Sequence, residues 1–189
     1  MLPLPTGSEF LRILAIDPGS SCTGIACFIW DFESPTVTLD SAFTLKFSNR
    51  SAQYAGIRDI GNDKLGRLQQ LEDELEDVVA EFQPHLVICE SNYMGSFADA
   101  FATLVECVAT IRNVIYRFNP TLPLITVDPI TAKKAAGIKG RSNDKTDVTN
   151  ALKKSTDVIW NVELESLDEH ATDAVAIGVY LFQMLRNRS

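Results

Sequence analysis

The 189-residue sequence has only four cysteines, two histidines and two tryptophans. It also lacks any run of about 18 consecutive apolar residues, so a helical membrane span is not expected. Cys22, Cys27, Cys89 and Cys107 show no paired C-x-x-C spacing, which argues against a structural zinc cage. Cys22 and Cys27 lie five apart in a predicted strand, so their side chains should point to opposite faces and form neither a disulfide nor a shared metal site. Free thiols in a reducing compartment are the expectation. The opening MLPLPTGSEF has no basic segment followed by an apolar stretch, so secretion is not expected, and residues 1–10 read as a flexible tail. Internal repeats and low-complexity tracts are absent too. What remains is ordinary globular composition, 46% hydrophobic and 22% charged with ten Gly and eight Pro, at a length that suits a single domain over 1–189. The balance of 17 Lys+Arg against 25 Asp+Glu gives a net charge of −8, which taken over the whole chain argues against a polyanionic ligand.

Hydrophobic periodicity supplies the elements. Ile13, Leu14, Ala15 and Ile16 form a short apolar run, Asp17-Pro18-Gly19-Ser20-Ser21 carries turn signals, and 23–30 is strand-like again, which together predict a hairpin. A third strand over 36–47 would complete a meander. After a polar connection, Leu65, Leu68, Leu71, Leu75, Val78, Val79 and Phe82 mark a stripe at helical spacing, with an acidic face opposite. Leu86-Val87-Ile88-Cys89 reads as a strand covered on both faces and ending at Glu90. A long helix over 97–118, a strand over 122–127, a helix over 130–136 stopped by Gly137 and a helix over 144–154 follow. Ser166-Leu167-Asp168-Glu169 fits a capping box that would start a last helix running to about 186. The prediction is an α/β fold, a mixed five-stranded sheet of antiparallel meander plus parallel strands, flanked by helices.

Two carboxylates occupy the same kind of place. Asp17 and Glu90 each directly follow four apolar residues, where a buried strand surfaces at its carboxyl end, and in open α/β sheets the ligand crevice lies outside those ends. His170 and Asp173 are three apart on one face of the last helix, near its N-terminus. Like charges brought that close raise each other's pKa and resist joint ionisation, and a divalent cation resolves the conflict. An oxygen-rich set suits Mg²⁺ or Mn²⁺, and two such ions in one site can stabilise both the attacking and the leaving oxygen of phosphodiester hydrolysis. Taken singly, Asp17 reads more simply as a turn former, Glu90 as a solvated strand end, and His170 and Asp173 as surface helical residues; the conjunction carries the reading.

These residues resemble the RuvC family of Holliday-junction resolvases, within the RNase H-like (retroviral-integrase-like) nuclease superfamily. ILAIDPGSSCTGIACF is similar to the family's first strand and hairpin, LVICESNYM to its fourth strand, and DEHATDAVAIGVYL to its final catalytic helix. The resemblance implies that Asp17, Glu90, His170 and Asp173 are catalytic and hold two Mg²⁺ or Mn²⁺ ions, with Asp17 bridging them. Many family members carry Asp where His170 stands. An imidazole suits Mn²⁺ at least as well as Mg²⁺, and it could instead activate the attacking water; the sequence leaves both roles open. The activity implied is paired, metal-dependent cleavage of four-way junctions leaving 5′-phosphate and 3′-hydroxyl ends. The location implied is the bacterial cytoplasm, whether the protein is the host's own or phage-encoded.

The charge argument changes once it is made locally. Lys133, Lys134, Lys139, Arg141, Lys145, Lys153 and Lys154 stand against Asp144 and Asp147, a net +5 over 133–154 that leaves −13 elsewhere. A basic stretch on an acidic body fits a one-sided DNA surface. The resemblance places Lys134 and Lys145 near the scissile phosphate, with Lys145 also catalytic, and makes Tyr93 an aromatic that stacks on a base at the opened junction centre; Lys133, Lys139 and Arg141 complete the DNA-binding set. Two nicks related by two-fold symmetry call for a homodimer, for which the 97–118 helix is the candidate interface because its apolar residues exceed one buried stripe. Three competing readings remain. They are a flap or fork nuclease of the same superfamily, a non-catalytic junction-binding protein, and a nucleotide switch. The last rests on D-P-G-x-x-x-T-G, which resembles the phosphate turn of actin/Hsp70-like ATPases, although the chain is short for that two-lobed architecture.

Overall fold

The computed structural model describes residues 9–92, 98–137 and 145–187. Its strands are β1 (Phe10–Asp17), β2 (Cys22–Asp31), β3 (Val37–Lys46), β4 (Leu86–Glu90), β5 (Leu124–Val127) and β6 (Val158–Trp160). Its helices are α1 (Ala55–Ile60), α2 (Asp63–Phe82), α3 (Ala98–Phe118), α4 (Pro129–Ala135), α5 (Lys145–Leu152) and α6 (Glu169–Arg186). The strands form one sheet in the order β5-β4-β1-β2-β3-β6. The meander β1–β2–β3 is antiparallel, whereas β4, β5 and β6 join by parallel pairing. The sheet thus has six strands where the sequence predicts five. The extra strand, β6, is three residues long at the open edge beside β3, too short for any alternation to register.

Strand alternation sorts the core into two layers. Leu11, Ile13 and Ala15 of β1, Ala26 and Phe28 of β2 and Leu86 and Ile88 of β4 pack on one face with α6, including Val175, Val179 and Phe182. Leu14, Ile16, Ile25, Cys27, Val87 and Cys89 pack on the other with Leu71, Leu75 and Val79 of α2 and Cys107, Ile111, Val114 and Ile115 of α3. Being covered on both faces explains why β1 and β4 read as unbroken apolar runs. Fully burying one such side chain contributes about 1.5–3 kcal/mol, so the two layers supply the main driving force for the fold.

Helix α6 is the central helix, buried almost all round from Ala171 to Phe182. It lies so close to β2 that a Cβ on Gly178 would fall 2.0 Å from the Phe28 ring. The ring of Phe182 meets Trp30 edge-on, with centroids 5.2 Å apart. The start of α6 differs from the sequence expectation. Asp168, rather than Ser166, is the N-cap, accepting a hydrogen bond from the Ala171 N–H at 3.1 Å. Ser166 instead closes a preceding 3₁₀ turn by donating to the Glu163 carbonyl. Both residue types favour N-caps, and only the three-dimensional course of the chain selects between them.

All four cysteines are free, Cys27, Cys89 and Cys107 being buried. Among the described residues no helix is long and apolar enough to cross a membrane.

Candidate active site

The same alternation that builds the core aims the two strand-end carboxylates. Asp17 shares the parity of Ile13 and Ala15, and Glu90 that of Leu86 and Ile88, so both project from the face that packs against α6. They are neighbours across the sheet, each one residue beyond the paired Ile16 and Cys89. Across the other flank, Asp17 pairs with Gly24 of β2, which pairs with Thr44 of β3. Glu90, Asp17, Gly24 and Thr44 therefore form a row across one end of the sheet, under the first turn of α6.

That turn brings in His170 and Asp173. The His170 Nδ1 lies 3.2 Å from Asp17 Oδ2. Asp17 is buried, at 9% exposure. The Asp17 carboxylate, hydrogen-bonded to the ring, raises the His170 pKa against the opposing effect of burial. Burial is also the main cause that pushes Glu90 up to about 8, helped by the negative charges of Asp17 and Asp173 and opposed by Lys133. Asp173 is raised as well, by burial first; Lys133 opposes this, and Asp17 adds to it. The Lys133 ammonium, brought by α4, sits 3.2 Å from Asp173 Oδ2.

The four predicted residues thus converge on one end of the sheet. They do not close into a finished cage, since among the described residues no three His, Cys, Asp or Glu side chains are grouped so as to hold a metal ion. Two pairings take the place of one: imidazole on Asp17, and ammonium on Asp173. The donor set nevertheless fits a divalent cation. Three carboxylates and an imidazole share a largely buried space, where the negative charges of its neighbours raise Glu90 and that of Asp17 raises Asp173, so the cluster as folded is short of positive charge.

Of the expected DNA contacts, Lys133 belongs to the acidic cluster, whereas Lys134 is exposed on α4. Lys145 is the first residue of α5. Tyr93, Lys139 and Arg141 lie outside the described residues, as does Phe97 at the expected start of α3. The acidic α2 packs on the opposite face of the sheet from α6.

Sequence reasoning missed the residues that seat α6. A Cβ on Gly24 would fall 2.0 Å from the His170 carbonyl oxygen, so only glycine lets the first turn of α6 approach β2 there. A glycine inside a strand is a signal for such close approach, and Gly24 could have been found by it. Asp168 Oδ1 accepts from the Thr44 hydroxyl as well as from the Ala171 N–H, and Lys46 Nζ lies 3.5 Å from Oδ2. Against the effect of burial, these partners hold the Asp168 carboxyl below its usual range.

The turn carrying Asp17 is also fixed. Thr23 Oγ1 donates to the Gly19 carbonyl at 3.0 Å and accepts from the Gly19 N–H at 3.3 Å, while Arg67 Nε donates to the Ser20 carbonyl at 2.9 Å.

No protein-family model matches the chain, and no curated protein matches it in sequence. Solved structures do match. Thermus thermophilus RuvC in complex with a Holliday junction substrate aligns with a TM-score of 0.67 at 15% identity, over 94% of this chain and 96% of that one. The fold is that of a RuvC-like resolvase. The yeast mitochondrial Holliday junction resolvase Ydc2 aligns with a TM-score of 0.59 at 14% identity, over 98% of this chain and 84% of that one. The fowlpox virus resolvase, in complex with Holliday junction DNA, gives 0.55 at 17% identity, over 93% and 99%. At these identities the likeness is one of architecture, and it extends over nearly the whole chain rather than over a shared sheet alone.

Proposed function

We propose that this protein is a structure-selective endodeoxyribonuclease that resolves four-way DNA junctions by divalent-metal-dependent phosphodiester hydrolysis, leaving 5′-phosphate and 3′-hydroxyl ends. The observation that carries the reading is the convergence of Asp17 and Glu90, from adjacent strand ends, with His170 and Asp173 on the buried helix above them. The likeness in fold to three resolvases, two of them in complex with junction DNA, supports the substrate class.

Asp17, Glu90, His170 and Asp173 would hold Mg²⁺ or Mn²⁺, two ions per site. When bound, such ions supply an activated water and charge stabilisation at the phosphate. The chain's own residues prepare for this. Glu90, pushed up to about 8, carries a proton at neutral pH and must release it to become a full ligand. Lys133 compensates Asp173 through one carboxylate oxygen, and with a cation held at the site its ammonium would be available to a phosphate. His170 meets Asp17 through Nδ1 and its side chain is half-exposed, so the ring would serve as a ligand or as a proton acceptor.

Lys134 and Lys145, together with Lys139 and Arg141, would contact phosphates, and Tyr93 would stack on a base. A homodimer through α3 would present two sites to opposing strands; Val105 is exposed, and Phe101 and Leu104 are half-buried, on one side of that helix.

The test is a nicking assay on fixed four-way junctions, flaps and forks with Mg²⁺ or Mn²⁺. Paired symmetric nicks confined to junctions, lost in Asp17→Asn, are the expected result. Nicking of flaps and forks at equal rates would favour the broader branch nuclease. Junction binding without any metal-dependent cleavage would overturn the enzymatic reading.

A further inference from the structure

Helix α6 carries two of the four candidate ligands, so its height and rotation over the sheet decide whether they meet Asp17 and Glu90. Hydrophobic packing of α6 fixes the helix broadly, through contacts that begin at Ala171 and continue along its length. Leu164 and Leu167 join the same core just before the helix, and between Leu167 and Ala171 the contacts are polar. Asp168 Oδ1 takes two donors at once, the Ala171 N–H of its own helix and the Thr44 hydroxyl of β3. The second carboxylate oxygen faces Lys46, also of β3, and the Thr172 hydroxyl donates to the Asp168 carbonyl at 2.7 Å. Thr44 belongs to the same transverse row as Asp17, through Gly24. The cap of the helix is therefore bonded to the row of the sheet that bears the first carboxylate.

We propose that Asp168, anchored by Thr44, is a positioning residue that sets the first turn of α6 so that His170 and Asp173 face Asp17 and Glu90. This rests on the function proposed above. An ordinary N-cap needs only its own helix N–H groups as partners. The bond to Thr44 adds nothing to capping, but it ties the helix start to the sheet at a fixed place. Outer partners of this kind orient metal ligands, and removing them typically lowers metal affinity or activity 10- to 100-fold. Lys46 contributes less, because its ammonium is well exposed and its pairing with Asp168 is screened by solvent.

Thr44→Val separates the two roles, since it removes the tie to the sheet while the cap to Ala171 remains. The experiment measures Mn²⁺ affinity of the full-length protein by isothermal titration calorimetry, with no DNA present, for wild type, Asp168→Ala, Asp168→Asn, Thr44→Val and Asp173→Asn. Melting curves run in parallel confirm that each variant is folded at the titration temperature. Asp168→Ala and Thr44→Val are expected to weaken Mn²⁺ binding about tenfold or more, within the range for such partners. Asp168→Asn, whose amide oxygen can still accept both hydrogen bonds, should stay near wild type. If Asp173→Asn loses affinity while Thr44→Val and Asp168→Ala both keep it, the positioning role is overturned and the metal site stands. If all variants bind as wild type, Asp173→Asn included, the proposed function falls and takes this inference with it.

Discussion

Adding one methyl group at Gly24 tests whether the seat of α6 controls the site. An alanine Cβ there would lie 2.0 Å from the His170 carbonyl oxygen, 2.4 Å from its carbon and 3.1 Å from the Ala171 nitrogen, all backbone atoms. Ordinary contact needs about 3.4 Å or more, so α6 or β2 must retreat by more than about 1 Å, and neither can do so by rotating a side chain. Overpacking of this kind costs about 1–3 kcal/mol. For a protein of this size each kcal/mol lowers the melting temperature by about 2–4 °C. The functional effect should exceed the thermal one, because the displaced atoms belong to His170 itself and a misplacement of about 1 Å can reduce rate by about 10²-fold. Gly178→Ala is the matched control. It forces the same helix off the same strand, against the Phe28 ring at 2.0 Å, but two turns beyond His170. Both variants should lose comparable stability by thermal melting, while Gly24→Ala alone should lose junction nicking by about 100-fold under conditions where both are folded. Equal nicking by the two variants, or wild-type nicking by Gly24→Ala, would refute the claim that backbone approach at Gly24 sets the site.

Three further outcomes follow from the charges and surfaces described. Glu90 sits at about 8 in the folded chain against an unfolded value near 4.5, so between those values the folded state holds a proton that the unfolded state has released. Metal-free stability should therefore fall as pH rises from about 5 to 8, in urea titrations, and Glu90→Gln or saturating Mn²⁺ should flatten that slope. His85 runs the other way. Burial, then the Arg12 guanidinium, lowers its pKa, and its Nδ1 accepts from the Arg12 N–H at 3.2 Å. Its contribution is present above the unfolded value near 6.5 and is lost as pH falls through the folded one, so the urea midpoint should drop on acidification below about 6.5, and less steeply in His85→Phe. At the candidate dimer face, Leu104→Asp with Val105→Asp should convert a dimer to a monomer by light scattering while leaving the melting temperature within a few degrees; an unchanged mass would place the interface elsewhere.

Much of this arrangement was legible from the order of residues. Ile13–Ile16 and Leu86–Cys89 announced buried strands because both faces of the sheet are covered, and the carboxylate after each run marked the end where a crevice opens. Strand parity could have gone further, since counting back from Asp17 through Ala15 and Ile13 already places it on the same face as every alternate core residue. What stayed hidden depends on contacts between segments far apart in the chain. Lys133 reads as one more phosphate-binding lysine, and only the packing of α4 on α6 turns its ammonium toward Asp173. Thr44 looks like any strand threonine until β3 is set beside β2 and its hydroxyl reaches a residue 124 positions away. The cap of α6 was misplaced by two residues because Ser166 and Asp168 are chemically equivalent as caps, and the 3₁₀ turn that uses up Ser166 is a product of the fold.

The net charge of −8 is the one global property that points away from DNA, and under the proposed function the fold has to account for it. Helix α2 alone holds seven acidic residues against Lys64 and Arg67, and it packs across the sheet from α6. Part of its charge is spent locally, on Arg117 of α3 through Glu72 and Glu76 at 2.6 and 2.5 Å. At the α6 end Glu90, pushed up to about 8, is largely protonated at neutral pH, Asp173 faces Lys133 and Asp168 faces Lys46. A phosphate approaching that end therefore meets a much weaker negative field than the residue count implies, because charges on the far face act through the body of the protein and are screened by salt within about 10 Å. Under the proposed function a divalent cation held there would take over from both the proton on Glu90 and the ammonium on Asp173, and would add positive charge at the end of the sheet where a phosphate would lie.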